Sequence, residues 1–291
     1  MHYIILDFEW DTVFYKPEKR FVNQIVQIGA VKLGADFSIE SKFARLVKSS
    51  FCKKVSKRFT ELTGITTEDM LSGVAFGEAV KEYNEWVGPD IITLTWSNSD
   101  LYSVVDNGKL FLEKNEKFLL GKYVDLQSYV QNELKLAGKE ISNQISLTFA
   151  AEELGISTDN FDMHTALDDS MVTAKILQKT YNAERFAACV RDTENPEFFK
   201  RLLFRNTYIT KIYDRRVDKK HLEFTCDKCG KKAKPKREKW KYKNHWFCNE
   251  FVCENCENQF VGKVMFKVTY TGVKVAKRVL HPEKTPETVE N

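Results

Sequence analysis

Asp7 and Glu9 interrupt an otherwise apolar stretch, IILDFEW at residues 4–10. The β-branched, aliphatic and aromatic residues around them suit a half-buried strand. Side chains alternate faces along a strand, so both carboxylates emerge on one side, one step apart. Two anions so placed repel, and taking either from water unpaired lifts its pKa until it holds a proton. A divalent cation resolves that conflict. Hard carboxylate oxygens suit Mg²⁺ or Mn²⁺, which keep several waters and bind substrate phosphate as well. The competing reading is a pair that simply faces water on an exposed sheet.

Two later stretches add groups of the same kind. Asp100 follows the apolar strand IITLTWS at the opening of a helix, where ligands gather in α/β sheets. The segment FDMHTALDDSMVTA then offers His164 with Asp168 and Asp169 around the start of a long helix. Helix starts also favour Asp as a cap, so spacing leaves open which of the two carboxylates would bind a metal.

A second chemistry lies near the other end. CDKCG at 226–230 and CENC at 253–256 form two Cys-x-x-Cys knuckles separated by 23 residues. The four thiolates of Cys226, Cys229, Cys253 and Cys256 fit one tetrahedral, structural Zn²⁺, because each tight turn presents two sulfurs to one ion. A redox role is the competing reading, and His245 and Cys248 are expected to stay outside the ligand set. Between the knuckles, Lys236, Arg237, Lys239, Trp240, Lys241, Tyr242 and Lys243 interleave charge with flat rings. Such a pattern suits a phosphate backbone with unpaired bases, or else the rings form a small core while the cations face water.

The elements that must hold these groups follow from periodicity. HYIILDFEW, NQIVQIGAVKL and SKFARLVK read as three strands of an antiparallel meander. GEAVKEYNEWVG has apolar residues at helical spacing, and Gly88-Pro89 stops it before the next strand. GKYVDL is a further strand, SLTFAAEELGI a helix capped by Ser146, and TALDDSMVTAKILQKTY a longer helix. Strands covered by helices make an α/β domain over residues 1–185. A helical connector over 186–222, opening a helix at Asn195-Pro196, leads to a smaller β-rich zinc ribbon over 223–280. Residues 281–291 carry too little apolar surface to fold alone and are expected to be a disordered tail.

Composition sets limits on the whole. The chain has 291 residues, 43% of them hydrophobic and 30% charged, which suits a soluble protein with one sizeable core and a smaller module. No apolar run is long enough to span a bilayer and no leader peptide precedes the first strand, so the expected compartment is the cytoplasm and no membrane partner is expected. The net charge of +4 conceals a division: residues 1–200 carry 23 basic against 30 acidic side chains, whereas residues 201–250 carry 16 against 6. The basic part could be a solvated surface or a footprint for phosphates.

In order and in context, these pieces resemble the DEDDh exonuclease superfamily. The resemblance rests on Asp7-Phe8-Glu9, on Asp100 in TWSNSD, and on His164-Thr165-Ala166-Leu167-Asp168-Asp169; QIVQIGAVKL and LTGIT are also similar. It extends over about residues 3 to 180. It implies a ribonuclease H-like mixed sheet flanked by helices and a metal-dependent 3′–5′ exonuclease that releases nucleoside monophosphates from single-stranded RNA or DNA. By the same resemblance, Asp7 bridges two Mg²⁺ (or Mn²⁺) ions, Glu9 and Asp169 complete one site, Asp100 holds the other, and His164 accepts a proton. The family spacing from His164 selects Asp169 and leaves Asp168 outside the metal set. Gln27 stands where members commonly carry Glu, and Ser97 where they carry Gly, which bears on substrate preference. Likeness to stand-alone members points to RNA ahead of DNA, and members are often homodimers. The reading from another class is a catalytically idle nucleic-acid-binding or adaptor protein, docking a protein partner through its ribbon.

Overall fold

The computed structural model describes residues 1–281, and the chain divides into two compact units, Met1–Leu202 and the residues from Leu203 onward. The tail expected over residues 281–291 lies, His281 apart, outside the described residues.

The first unit is built on one mixed sheet. β1 (His2–Tyr15), β2 (Arg20–Leu33) and β3 (Ile39–Leu46) form the expected antiparallel meander. Helices α1 (Lys57–Thr63), α2 (Thr67–Ser72) and α3 (Phe76–Val87) follow. β4 (Ile91–Thr95) and β5 (Lys122–Asp125), separated by α4 (Ser99–Phe111), then join parallel to β1. After α5 (Leu126–Leu136), α6 (Leu147–Glu153), α7 (Ala166–Thr180) and α8 (Ala183–Cys189), β6 (Arg191–Asp192) closes the edge. The strand order is β3-β2-β1-β4-β5-β6, and α9 (Pro196–Leu202) ends the unit.

The sheet separates two cores, and β1 shows why. Its residues Tyr3 and Ile5 point into the core made with α5, α6, α7 and α8, whereas Ile4, Leu6 and Phe8 point into the one made with α3 and α4. Asp7 and Glu9 continue the first of these faces, toward α7. Phe8, on the other face, is 2% exposed and meets Phe118 edge-on, the packing role expected for it.

The second unit is a smaller sheet. It comprises β7 (Thr207–Tyr208), β8 (Phe224–Thr225), β9 (Lys232–Pro235), β10 (Lys241–Lys243), β11 (Trp246–Val252), β12 (Gln259–Thr269) and β13 (Gly272–Leu280). Its core gathers Phe224, Phe247, Phe251, Phe260 and Phe266 around the buried Cys226 and Cys253.

The stretch 186–222, read from sequence as a helical connector, is instead divided between the units. Phe186 is buried against Tyr3 and Tyr129, and α9 packs Phe198 against Tyr123, so everything to Leu202 belongs with the first sheet. Ile209 is buried in the second core, and Tyr208 pairs with Lys267 of β12. Apolar anchors at both ends of the stretch, rather than composition, decide the partition. Among the described residues no helix is long and apolar enough to cross a membrane.

Candidate active site

Asp7, Glu9 and Asp169 converge midway along β1. One carboxylate oxygen from each lies within 4.8 Å of the others. Asp7 and Glu9 arrive there by strand alternation, and the register of β1 against β2 shifts just after Glu9, a bulge beside the cluster beyond which the pairing resumes as far as Tyr15. Asp169 comes from the first turn of α7. That helix can approach only because Asp7 stands opposite Gly29 on β2. A Cβ built on Gly29 would lie 2.2 Å from the carbonyl carbon of Ala166, so any side chain there would push the helix away.

Asp100 completes the acidic set from another direction. It sits in the first turn of α4, just beyond the carboxyl end of β4, and is 3% exposed. Its Oδ1 is buried with no hydrogen-bond partner. Its charge also raises the pKa of Asp7, although the carboxylates within 4.8 Å of one another are those of Asp7, Glu9 and Asp169 alone.

The electrostatics show the cost of this convergence. Burial pushes the Asp7 carboxyl well above its ordinary value, and Asp100, Asp169 and Glu9 push it further. Burial, then Asp169 and Asp100, carry Glu9 up to about 8. Asp100 rises to about 7, chiefly by burial, although hydrogen bonding with its own backbone and that of Phe8 opposes the shift. Asp169 is raised by burial against the opposing influence of His164. A carboxylate oxygen buried without a partner, within a cluster of mutually repelling anions, is what a hard divalent cation stabilises, so these residues fit Mg²⁺ or Mn²⁺.

His164 lies on the exposed turn before α7, with a left-handed φ of 76°. Its backbone N–H donates to Asp169 Oδ1 at 3.4 Å, and its imidazole makes no hydrogen bond among the described residues. Asp168, outside the cluster, accepts from the Asp162 N–H at 2.9 Å and closes the loop that carries His164.

Several supporting residues were not visible in the sequence pattern. Gln27, noted only as a departure from the family, accepts a hydrogen bond from the Ala166 N–H at 3.0 Å and so satisfies the first amide of α7. Ser170 Oγ donates to the Gly29 carbonyl at 3.2 Å. The turn that presents Asp100 is held by Asn98, whose Nδ2 donates to Asp125 at 2.8 Å and whose Oδ1 accepts from Tyr123 at 3.1 Å. Polar residues at a strand end are ordinary in sequence, and only the fold shows what they hold.

The second unit brings its four cysteines together. Cys226 Sγ lies 3.6 Å from Cys256 Sγ, and Cys229 Sγ 3.4 Å from Cys253 Sγ, too far for disulfides and close to the edges of a tetrahedron of metal-bound sulfurs. Burial opposes ionisation of Cys226, but hydrogen bonds from Asn258 and from the backbone of Cys229 and Lys228 bring its thiol down to about 6. Cys248 and His245 lie outside this cluster.

Of the basic and aromatic residues expected to hold nucleic acid, several are engaged elsewhere. Trp240 packs in the core, its ring 5.9 Å from Phe251 and 6.3 Å from Phe224, so it is not a free platform for bases. Arg237 pairs with Glu250 at 2.8 Å, and Lys236 donates to Gln259. Lys239, Lys241 and Lys243 make no ion pair among the described residues, and Tyr242 is 38% exposed.

Residues 4–177 match the family model described as an exonuclease. The chain is 30% identical over 179 residues to the PolC-type DNA polymerase III of Thermotoga petrophila, a match covering 60% of this chain and 11% of that one. It is 27% identical to the epsilon subunit of DNA polymerase III from Aquifex aeolicus, covering 61% of this chain and 79% of the relative. The chain thus spans about a tenth of the PolC-type relatives it matches. Among solved structures, the nuclease domain of 3′hExo, a DEDDh family member bound to rAMP, superposes with a TM-score of 0.54 at 24% identity. That likeness covers 66% of this chain and 96% of the other and shares its fold.

Proposed function

The chain belongs to the exonuclease family, and from that premise we propose that it removes nucleoside monophosphates stepwise from the 3′ end of single-stranded nucleic acid, RNA ahead of DNA. The observation that carries this reading is the convergence of Asp7, Glu9 and Asp169 beside the buried, unpartnered oxygen of Asp100. Asp7, at the centre of the mutual repulsion, would bridge two Mg²⁺ or Mn²⁺ ions; Glu9 and Asp169 would complete one site, and Asp100 the other. Bound there, the two ions lower the pKa of a water and neutralise charge on the attacking and leaving oxygens.

The remaining work falls to the chain itself. His164 takes the proton of the attacking water on its imidazole, which makes no hydrogen bond among the described residues and so has a ring nitrogen free to accept it. Its tie to Asp169 through the backbone holds the exposed loop against the cluster. The rAMP bound by the 3′hExo domain is a ribonucleotide of the kind this reaction would release, which favours RNA. In the second unit the four thiolates would hold one structural Zn²⁺. Seven cysteines without a disulfide favour a reducing compartment, the cytoplasm.

The test is incubation of the full chain with end-labelled single-stranded RNA and DNA, with and without Mg²⁺ or Mn²⁺. Expected is a ladder shortening from the 3′ end, faster on RNA, absent without divalent ion and absent in Asp7→Asn. Binding without cleavage of either strand by the wild-type chain, at any divalent ion tried, would establish the idle adaptor instead.

A further inference from the structure

We propose that the exposed face of strands β10 to β13 is a docking surface for single-stranded RNA, an inference that rests on the chain acting on a nucleic-acid strand. Strand register builds this face. Lys241 stands opposite Cys248, Cys248 opposite Lys263, and Lys263 opposite Arg278. Directly opposite residues share a face, so three cations form a row across four strands. Four residues further along β12, on the same face, Lys267 stands opposite Lys274. The reverse face carries Phe247, Phe251, Phe260, Val264 and Phe266 into the core.

The hairpin β12–β13 therefore holds two directly opposed cation pairs. Like charges so placed destabilise a sheet, and among the described residues neither pair is relieved by a carboxylate, although Arg278 and Lys267 each lie over a ring. None of Lys241, Lys263, Lys267, Lys274 and Arg278 makes an ion pair among the described residues. Elsewhere in the unit, Lys232, Lys234 and Arg237 are neutralised by Glu223, Glu254 and Glu250. Glu250 is the one carboxylate in these four strands, and it is already taken. An external polyanion supplies the missing charge.

Flat rings on the same face narrow that polyanion to a single strand with unpaired bases. Arg278 lies over Trp246, 5.0 Å from the ring centroid. Tyr208, opposite Lys267, stacks on His245 with centroids 4.0 Å apart and planes 14° from parallel. Bases of a duplex stack on one another, whereas splayed bases of single-stranded RNA stack on side chains laid across a sheet. The cations beside those rings would meet the phosphates between the bases.

The opposed pairs give a test that separates binding from folding. Lys263→Glu and Lys267→Glu together place a carboxylate opposite Arg278 and opposite Lys274. Expected in the full chain is a higher melting temperature of the second unit, together with at least about tenfold weaker binding of a fluorescent single-stranded RNA in Mg²⁺-free buffer. The slope of log affinity against log salt should become shallower by about 1 to 2. Hydrolysis of a trinucleotide should keep its wild-type rate. A control, Lys232→Gln with Lys234→Gln, should bind within about twofold of wild type, because those cations are already paired.

Unchanged RNA affinity in the double-Glu variant overturns the proposal, as does an equal loss in the control. So does a stronger hold on polyglutamate, or on DNA of the same sequence, than on the RNA. If the wild-type chain hydrolyses nothing yet the double-Glu variant still loses RNA, the exonuclease reading fails and the surface stands.

Discussion

The two units each press would-be anions into one place, four thiolates in one and three carboxylates with Asp100 beside them in the other, by opposite routes. In the second unit, the sulfurs come in pairs from two knuckles, each closed by its own short turn, and residues far along the chain need only bring two preformed pairs together. In the first, the carboxylates come from β1, α4 and α7, and nothing local assembles them. A metal held by the four thiolates would be part of what folds their unit. The carboxylate cluster is a strain imposed on a unit whose two large cores already hold it together.

The largest expected effect follows from that difference. Stripping zinc from the thiolates, or replacing Cys253 with Ser, should abolish cooperative melting of the second unit, because structural zinc contributes about 10–16 kcal/mol to modules of this kind. The first unit should melt as before. Differential scanning calorimetry beside a colorimetric zinc assay checks this, and a metal-free second unit that still melts cooperatively would erase the contrast.

Next in size is Gly29→Ala. The new methyl group would collide with the backbone at Ala166, so α7 must retreat, at about 1–3 kcal/mol of stability. Asp169 moves with the helix, and a displacement of that order costs roughly 100-fold in rate. Melting and single-turnover hydrolysis together test it; a variant with wild-type activity would mean that the approach of α7 does not set the site.

A pH dependence sharpens the comparison further. The folded-state pKa values of Asp7, Glu9 and Asp100 are raised, so between about pH 4 and 8 the folded chain binds more protons than the unfolded one. The associated stability is fully present below the unfolded values and is lost as pH rises through the folded ones. Without Mg²⁺ or Mn²⁺, the melting temperature of the first unit should fall by several degrees between about pH 5 and pH 8, and either ion should restore it. Asp7→Asn should flatten the decline. A profile equally steep in that variant would place the strain elsewhere.

The smallest effect concerns Gln27. Replacing it with Ala removes the acceptor for the Ala166 N–H and should cost about 1 kcal/mol, whereas Gln27→Glu keeps an acceptor and should cost less. Chemical denaturation of the three proteins orders them, and identical midpoints would deny Gln27 its role in seating α7.

Particular residues show how far the sequence could be read. The strand identity of residues 4–10, the helix after Thr165 and the Cys-x-x-Cys turns are local, and each appears where periodicity and turn chemistry put it. Trp240 stayed open between a core and a base-stacking role, because alternation of basic and aromatic residues looks the same in either case, and the fold packs it against the core. The outer face of β10 to β13 is not legible in the sequence because its cations are adjacent only across strands: Lys263 and Arg278 are neighbours by register alone.

By itself, then, the sequence determined which groups could bind metal, since carboxylate and thiolate chemistry is a property of residue type and short spacing. Only the tertiary structure decided which of those groups share a site, how strongly they repel, and that one glycine admits the helix completing the set. The reason is physical: charge interaction and steric exclusion act over a few ångströms in space, and only folding turns long separations along the chain into such distances.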